Sequence, residues 1–208
     1  MDLSIPILLL YMSTAIVAVT LIKRYTLPYF KFFVSYAIVV VVFEYIVQLA
    51  YFYGYQTKDI YNIYTFFEYN IVALIYFKLT VELVSHKWIK YLMVLFNLIY
   101  ILSFIFIPIQ NYTVLLGAVI VCLFMFFYLK ELLQSDQIIN FQNSLPFWIT
   151  IGFLLYYLTT IPFYTALYVI GIESKSDSII LFTSQQIIII LTHVCFIGGL
   201  IWGTKEKI

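Results

Sequence analysis

Charge is what this chain has least of. Asp, Glu, Lys and Arg make up 10% of its 208 residues, against about 25% in an ordinary soluble domain. A water-soluble fold of this length has no means of hiding a sequence that is 64% hydrophobic; a bilayer removes the need, because lipid becomes the solvent. Acid and base nearly cancel, at a net charge of +1, so neither a polyanionic partner nor nucleic acid is expected. Glycine is scarce at 7 residues, which leaves few places for close backbone approach between helices. There are two cysteines, Cys122 and Cys195, both within apolar runs, where they read as core residues and not as a disulfide or a metal site. With only His86 and His193 for imidazole ligands and no H-E-x-x-H, no metal is expected. No G-x-S-x-G, P-loop or G-x-G-x-x-G occurs, and no Asp falls within an apolar span. The expectation is a protein without enzymatic activity and without a cofactor. Retinal in particular needs a lysine midway along a last helix, and Lys205 lies beyond that point.

What is present in abundance is apolar and aromatic. Runs long enough to cross a hydrocarbon core, about 20 residues, recur at roughly 3–22, 29–52, 61–82, 89–108, 112–133, 146–170 and 180–203. They are continuous and do not alternate, which excludes a β-barrel. The expected fold is all-α: one seven-helix membrane bundle over residues 1–208, in contact with the lipid bilayer. Met1-Asp2 lacks a basic leader, and Lys23-Arg24 follow the first run, so that run reads as a retained first helix. Pro162 removes one backbone hydrogen bond inside the sixth run and predicts a kink there.

Lys and Arg set the direction. One set of loops and helix ends holds Lys23, Arg24, Lys31, Lys78, Lys87, Lys90, Lys130, Lys205 and Lys207, and the other holds Lys58 and Lys175. That asymmetry predicts the N-terminus outside and the C-terminus in the cytoplasm. Trp88, Trp148 and Trp202 fall near cytoplasmic ends, as interfacial anchors do.

Two carboxylates stand well inside spans, Glu44 and Glu68. Each costs about 2.5–3.5 kcal/mol at a helix centre if the insertion scale for Asp, Lys and Arg extends to Glu. They belong to consecutive antiparallel helices and lie at a common depth, roughly 10–12 Å below the outer surface at 1.5 Å per residue. Gln48 and Tyr51 follow Glu44 on its face; Tyr61, Tyr64 and Thr65 precede Glu68 on its face. Gln185 and Gln186 enter from the seventh helix, and Thr159, Thr160 and Tyr164 flank Pro162. The expected site is an outward polar pocket with two acids at its floor, formed by Glu44, Gln48, Tyr64, Glu68, Thr160, Gln185 and Gln186, with His193 deeper. Two adjacent acids behave as a coupled pair and suit a proton, a small cation or an amine ringed by tyrosines. A bland reading stands beside this: each Glu hydrogen-bonds a neighbouring helix and holds the bundle together. His193 and Asn97 are the polar residues of the inner half, either a relay or interhelical bonds. Lys78 and Glu82 are spaced for a local i,i+4 ion pair. Gly199 and Gly203 form a G-x-x-x-G, which suits a close helix contact or a dimer face. Asn111-Tyr112-Thr113 matches a glycosylation sequon by chance.

Asn62-Ile63-Tyr64 followed by Phe67-Glu68-Tyr69, with Gly198-Gly199 in the last helix, resembles small seven-helix membrane proteins of Bacteroidota. Some of those look like the membrane sensor portions of histidine kinases. The resemblance implies a multi-pass protein of the bacterial inner membrane with a sensing role and a membrane or cytoplasmic protein partner. The functional expectation is a ligand-sensing or partner-binding module. A proton- or cation-coupled transporter and a structural subunit of a membrane complex are the alternatives.

Overall fold

The computed structural model describes residues 4–106, 110–135, 141–171 and 174–203. Among them are seven α-helices: α1 (Ser4–Thr20), α2 (Pro28–Phe52), α3 (Lys58–Leu79), α4 (Leu83–Ile105), α5 (Gln110–Gln134), α6 (Leu145–Thr165) and α7 (Lys175–Trp202), with a π-helical turn, Ala166–Ile170, continuing α6. Pro28 and Pro146 occupy the first turns of α2 and α6, where a missing N–H costs nothing. The protein is an all-α, multi-pass membrane protein.

Five of the helices (α2, α4, α5, α6 with its π turn, and α7) are long and apolar enough to cross a membrane by themselves. The other two fall short for different reasons. α1 is apolar but only 17 residues long, and α3 has the length but carries Lys58, Asp59, Glu68 and Lys78. The polarity of α3 follows from its position. Its principal contacts are with α2, α4 and α5, and Asn62, Thr65 and Glu68 are buried against them. A helix surrounded by protein can hold groups that lipid would not accept.

The contacts close a ring. α1 packs on α2 and α7, α2 on α3, α3 on α5, α5 on α6, and α6 on α7. α4 stands outside it, leaning on α3 and α5. It buries a single stripe of Ser85, Ile89, Phe96, Tyr100 and Ser103, spaced as one face of a helix. Asn70 and Asn97 exchange amide hydrogen bonds at 3.0 and 2.9 Å and clamp α4 onto α3.

At the C-terminal end of the bundle the ring is filled by aromatic side chains. Phe33 packs edge-on against Phe196 at 5.2 Å between centroids, Phe153 against Phe196 at 5.1 Å, and Tyr36 against Phe153 at 4.9 Å. Phe33, Phe153 and Phe196 are fully buried. Gly152 makes room for this cluster, since a Cβ there would lie 2.5 Å from Phe196 Cε1.

One local expectation is corrected. Lys78 and Glu82 do not pair, because α3 ends at Leu79 and Glu82 lies in the linker before α4; an i,i+4 pair needs one continuous helix. Glu82 instead reaches Lys130 of α5 at 3.4 Å. Pro162 lies inside α6, which runs on to Thr165 before widening into the π turn that ends at Gly171 with φ 73°. Gly199 settles against α6: a Cβ there would lie 2.5 Å from that of Trp148, so this glycine serves a close contact within the chain.

Candidate functional site

Opposite the aromatic plug, at the end of the bundle that carries the N-terminus, the six ring helices enclose a cavity of about 530 Å³. This is within the range of small-molecule sites, about 300–1,000 Å³. Thr57 and Lys58, at the start of α3, stand at the mouth together with Tyr168 of the π turn. Glu68 is ten residues further along α3, about 15 Å deeper at 1.5 Å per residue.

Glu44 from α2 and Glu68 from α3 both line this space, and Glu68 stands in the electrostatic field of Glu44. Their surroundings differ. Glu68 is 4% exposed and accepts a hydrogen bond from the Tyr157 hydroxyl at 2.9 Å. Tyr64, one turn before it on α3, is the second phenol within its reach. Glu44 is half-buried and has no hydrogen-bond or ion-pair partner among the described residues. Among the described residues, Lys58 at the mouth is the one basic residue on the wall of this cavity, and His193 borders a small void beneath it that Glu44 also lines.

The walls are aromatic. Tyr11, Tyr61, Tyr64, Tyr69, Tyr156 and Tyr164 present phenols to the cavity, and Tyr164 stacks on Tyr168 at 5.4 Å. Thr160, Gln185 and Gln186 add polar groups from α6 and α7. The Asn62 side chain, only 9% exposed, also lines the cavity, and its Nδ2 has no hydrogen-bond partner. Among the described residues that is a donor with an unmet need, buried in the wall of the cavity.

The sequence-derived site residues therefore divide. Glu44, Tyr64, Glu68, Thr160, Gln185 and Gln186 come together on one cavity. Gln48 does not: its side chain is exposed, outside the cavity wall. With 3.6 residues per turn, the step from Glu44 to Gln48 adds about 40° of rotation. Val40 and Val47 mark the buried stripe of α2, and that rotation carries Gln48 further from it. His193 is also absent from the main cavity. It borders a small void of about 20 Å³ beneath it, shared with Tyr11, Glu44 and Thr192. Its Nδ1 is bonded to Thr14 Oγ1 at 2.8 Å, and its ring lies between Tyr11 and Phe196. Asn97, bonded to Asn70, sits outside the ring and off any axial route.

Tyr157 and Tyr11 were not singled out by sequence reasoning, and Asn62 entered only through the run Asn62-Ile63-Tyr64 that carries the resemblance. A signal for Tyr157 does exist: Phe153, Tyr157, Thr160 and Tyr164 follow i, i+4, i+7 and i+11, one stripe of α6. Extending that stripe inward from Thr160 leads to Tyr157. Tyr11 gives no such signal, being one among 20 tyrosines.

The site thus belongs to a multi-pass helical membrane protein, with two carboxylates and a set of phenols around a cavity open at one end. The chain matches no family model, no curated protein and no solved structure. The geometry of the cavity is therefore the ground for assigning it a role.

Proposed function

We propose that this protein is a ligand-sensing membrane module. Its N-terminus lies outside, its C-terminus lies in the cytoplasm of a bacterial inner membrane, and its binding site is the outward cavity floored by Glu44 and Glu68. The carrying observation is the combination of a roomy chamber at one end of the ring with packed aromatic rings at the other. The charge bias supports the direction, because the end with the cavity carries Lys58 and Lys175 while the opposite end carries the remaining basic residues. The short resemblance around Asn62-Ile63-Tyr64 and Phe67-Glu68-Tyr69 agrees with a sensor, whose output is a helix displacement read by a membrane or cytoplasmic partner. For that to happen the ligand must bind one helix arrangement better than another.

Transport is less well supported. It needs a polar route through the inner half, and there Phe33, Phe153 and Phe196 fill the ring, while His193 is held by Thr14 and Asn97 by Asn70. A purely structural subunit is favoured by the Tyr157–Glu68 bond but leaves Glu44 and the cavity without a task.

The test is a binding screen on the full chain in lipid nanodiscs. A library of small cations, neutral compounds and anions is scored by thermal stabilisation. Hits are expected to lose their effect in Ile189→Trp, which fills the cavity from α7, and to show no uptake into reconstituted vesicles. A screen with no cavity-dependent hit overturns the reading, and vesicle uptake that depends on Glu44 replaces it with transport.

A further inference from the structure

Resting on that reading, we infer that the ligand is an organic ammonium: a protonated amine with an aromatic or apolar body and one hydrogen-bond acceptor. Its charged head lies between Glu44 and Glu68.

Three independent features carry this. The first is charge. Among the described residues the deep end of the cavity wall holds two carboxylates and no lysine or arginine; His193, bonded to Thr14, borders the small void beneath Glu44, and Glu68 is met by phenols. Carboxylates removed from water are costly until a cation meets them. Glu44, without a partner among the described residues, is the group left to receive one. The second is size and wall chemistry. A cavity of about 530 Å³ is far larger than a bare ion needs. No three His, Cys, Asp or Glu gather as metal ligands among the described residues. Tyrosine faces attract cations and pack against flat apolar bodies, so Tyr61, Tyr64, Tyr156 and Tyr164 suit an ammonium and the hydrocarbon behind it. The third is Asn62. Its buried Nδ2 is a donor without an acceptor, six residues nearer the mouth than Glu68, about 9 Å along the helix. A ligand whose head meets the acids therefore presents its far end near Asn62, where a turn of the side chain toward the cavity would let a ligand oxygen satisfy that donor.

The same three observations discriminate against other ligands. An anion meets two acids at depth. A neutral sugar leaves Glu44 unpaired and faces more phenyl surface than hydroxyls need. A metal ion lacks its third protein ligand.

The experiment uses three compounds that share a 4-hydroxyphenyl body and differ in the head: tyramine (ammonium), tyrosol (hydroxyl) and 4-hydroxyphenylacetate (carboxylate). Each is titrated calorimetrically against the full chain in nanodiscs. Tyramine is expected to bind at least tenfold more tightly than tyrosol, and 4-hydroxyphenylacetate not at all. Glu44→Gln, with Glu68→Gln as a second variant should the first fail to fold, is expected to remove the preference for the ammonium. Asn62→Leu is expected to weaken tyramine but not phenethylamine, which lacks the oxygen. Equal binding of tyrosol or 4-hydroxyphenylacetate, lost in Ile189→Trp, overturns the ammonium assignment and leaves the cavity as a binding site. Failure of all three compounds alongside a cavity-dependent neutral or anionic hit in the screen does the same. Failure of all three with an empty screen overturns both.

Discussion

Tyr157 of α6 donates its phenolic hydrogen to Glu68 of α3 at 2.9 Å, joining two helices across the ring. The bond makes the two acids unequal: Glu68 is held in place, and Glu44 is left available. Removing the hydroxyl with Tyr157→Phe leaves a buried carboxyl oxygen without its donor, a loss of about 1–3 kcal/mol. The variant is expected to unfold at a lower temperature in detergent. A double-mutant cycle with Glu68→Gln is expected to give a coupling of about 0.6–1.7 kcal/mol. Additive effects would mean that the two groups do not interact.

The Asn70–Asn97 clamp lies outside the ring, so it should stabilise without serving the site. Asn97→Leu is expected to cost about 0.6–1.7 kcal/mol, the range of interhelical hydrogen bonds in membranes. Ligand affinity and vesicle permeability should be unchanged. A change in permeability would put Asn97 on a transport route after all.

Gly199 approaches the Trp148 Cβ too closely to accept a side chain. Gly199→Val is expected to lose about 1–3 kcal/mol through overpacking at the α6–α7 contact. Gly198→Ala should be mild, because the added Cβ meets only the Trp202 ring at 3.2 Å. Cross-linking should report no change in oligomeric state for Gly199→Val. A shift in assembly with the fold intact would instead make the G-x-x-x-G a dimer face.

Direction can be read with thiol chemistry on a background where Cys122 and Cys195 are replaced by Ala. Tyr55→Cys, in the α2–α3 loop, is expected to react with a membrane-impermeant maleimide on intact cells. Ser135→Cys, just past α5, should react only after permeabilisation. The reverse pattern would invert the proposed orientation.

Much of the architecture was legible from apolar run length alone, because span length in lipid is set by bilayer thickness and not by tertiary detail. That Glu44 and Glu68 line one space was legible from their matching positions along consecutive helices, because rise per residue is constant along a helix. What could not be read was rotation. Gln48 sits one turn from Glu44 yet faces away, because the direction of a helix face depends on which neighbours it packs against. The placement of α4 outside the ring is likewise hidden, since hydropathy counts spans without arranging them. Tyr157 was hidden among many tyrosines until the packing of α6 selected it. The Lys78–Glu82 spacing misled because a three-residue break, Thr80–Glu82, interrupts an otherwise helical-looking stretch.

The interlocked rings of Phe33, Phe153 and Phe196 leave the proposed receptor with a single door. On that reading whatever enters leaves the way it came, so its occupancy at equilibrium follows the medium on that one side. Neither the interior concentration of the compound nor a gradient across the envelope enters its equilibrium. In the proposed sensor such a chamber would perform no work on its occupant and would report the chemical potential of the environment to the cell within.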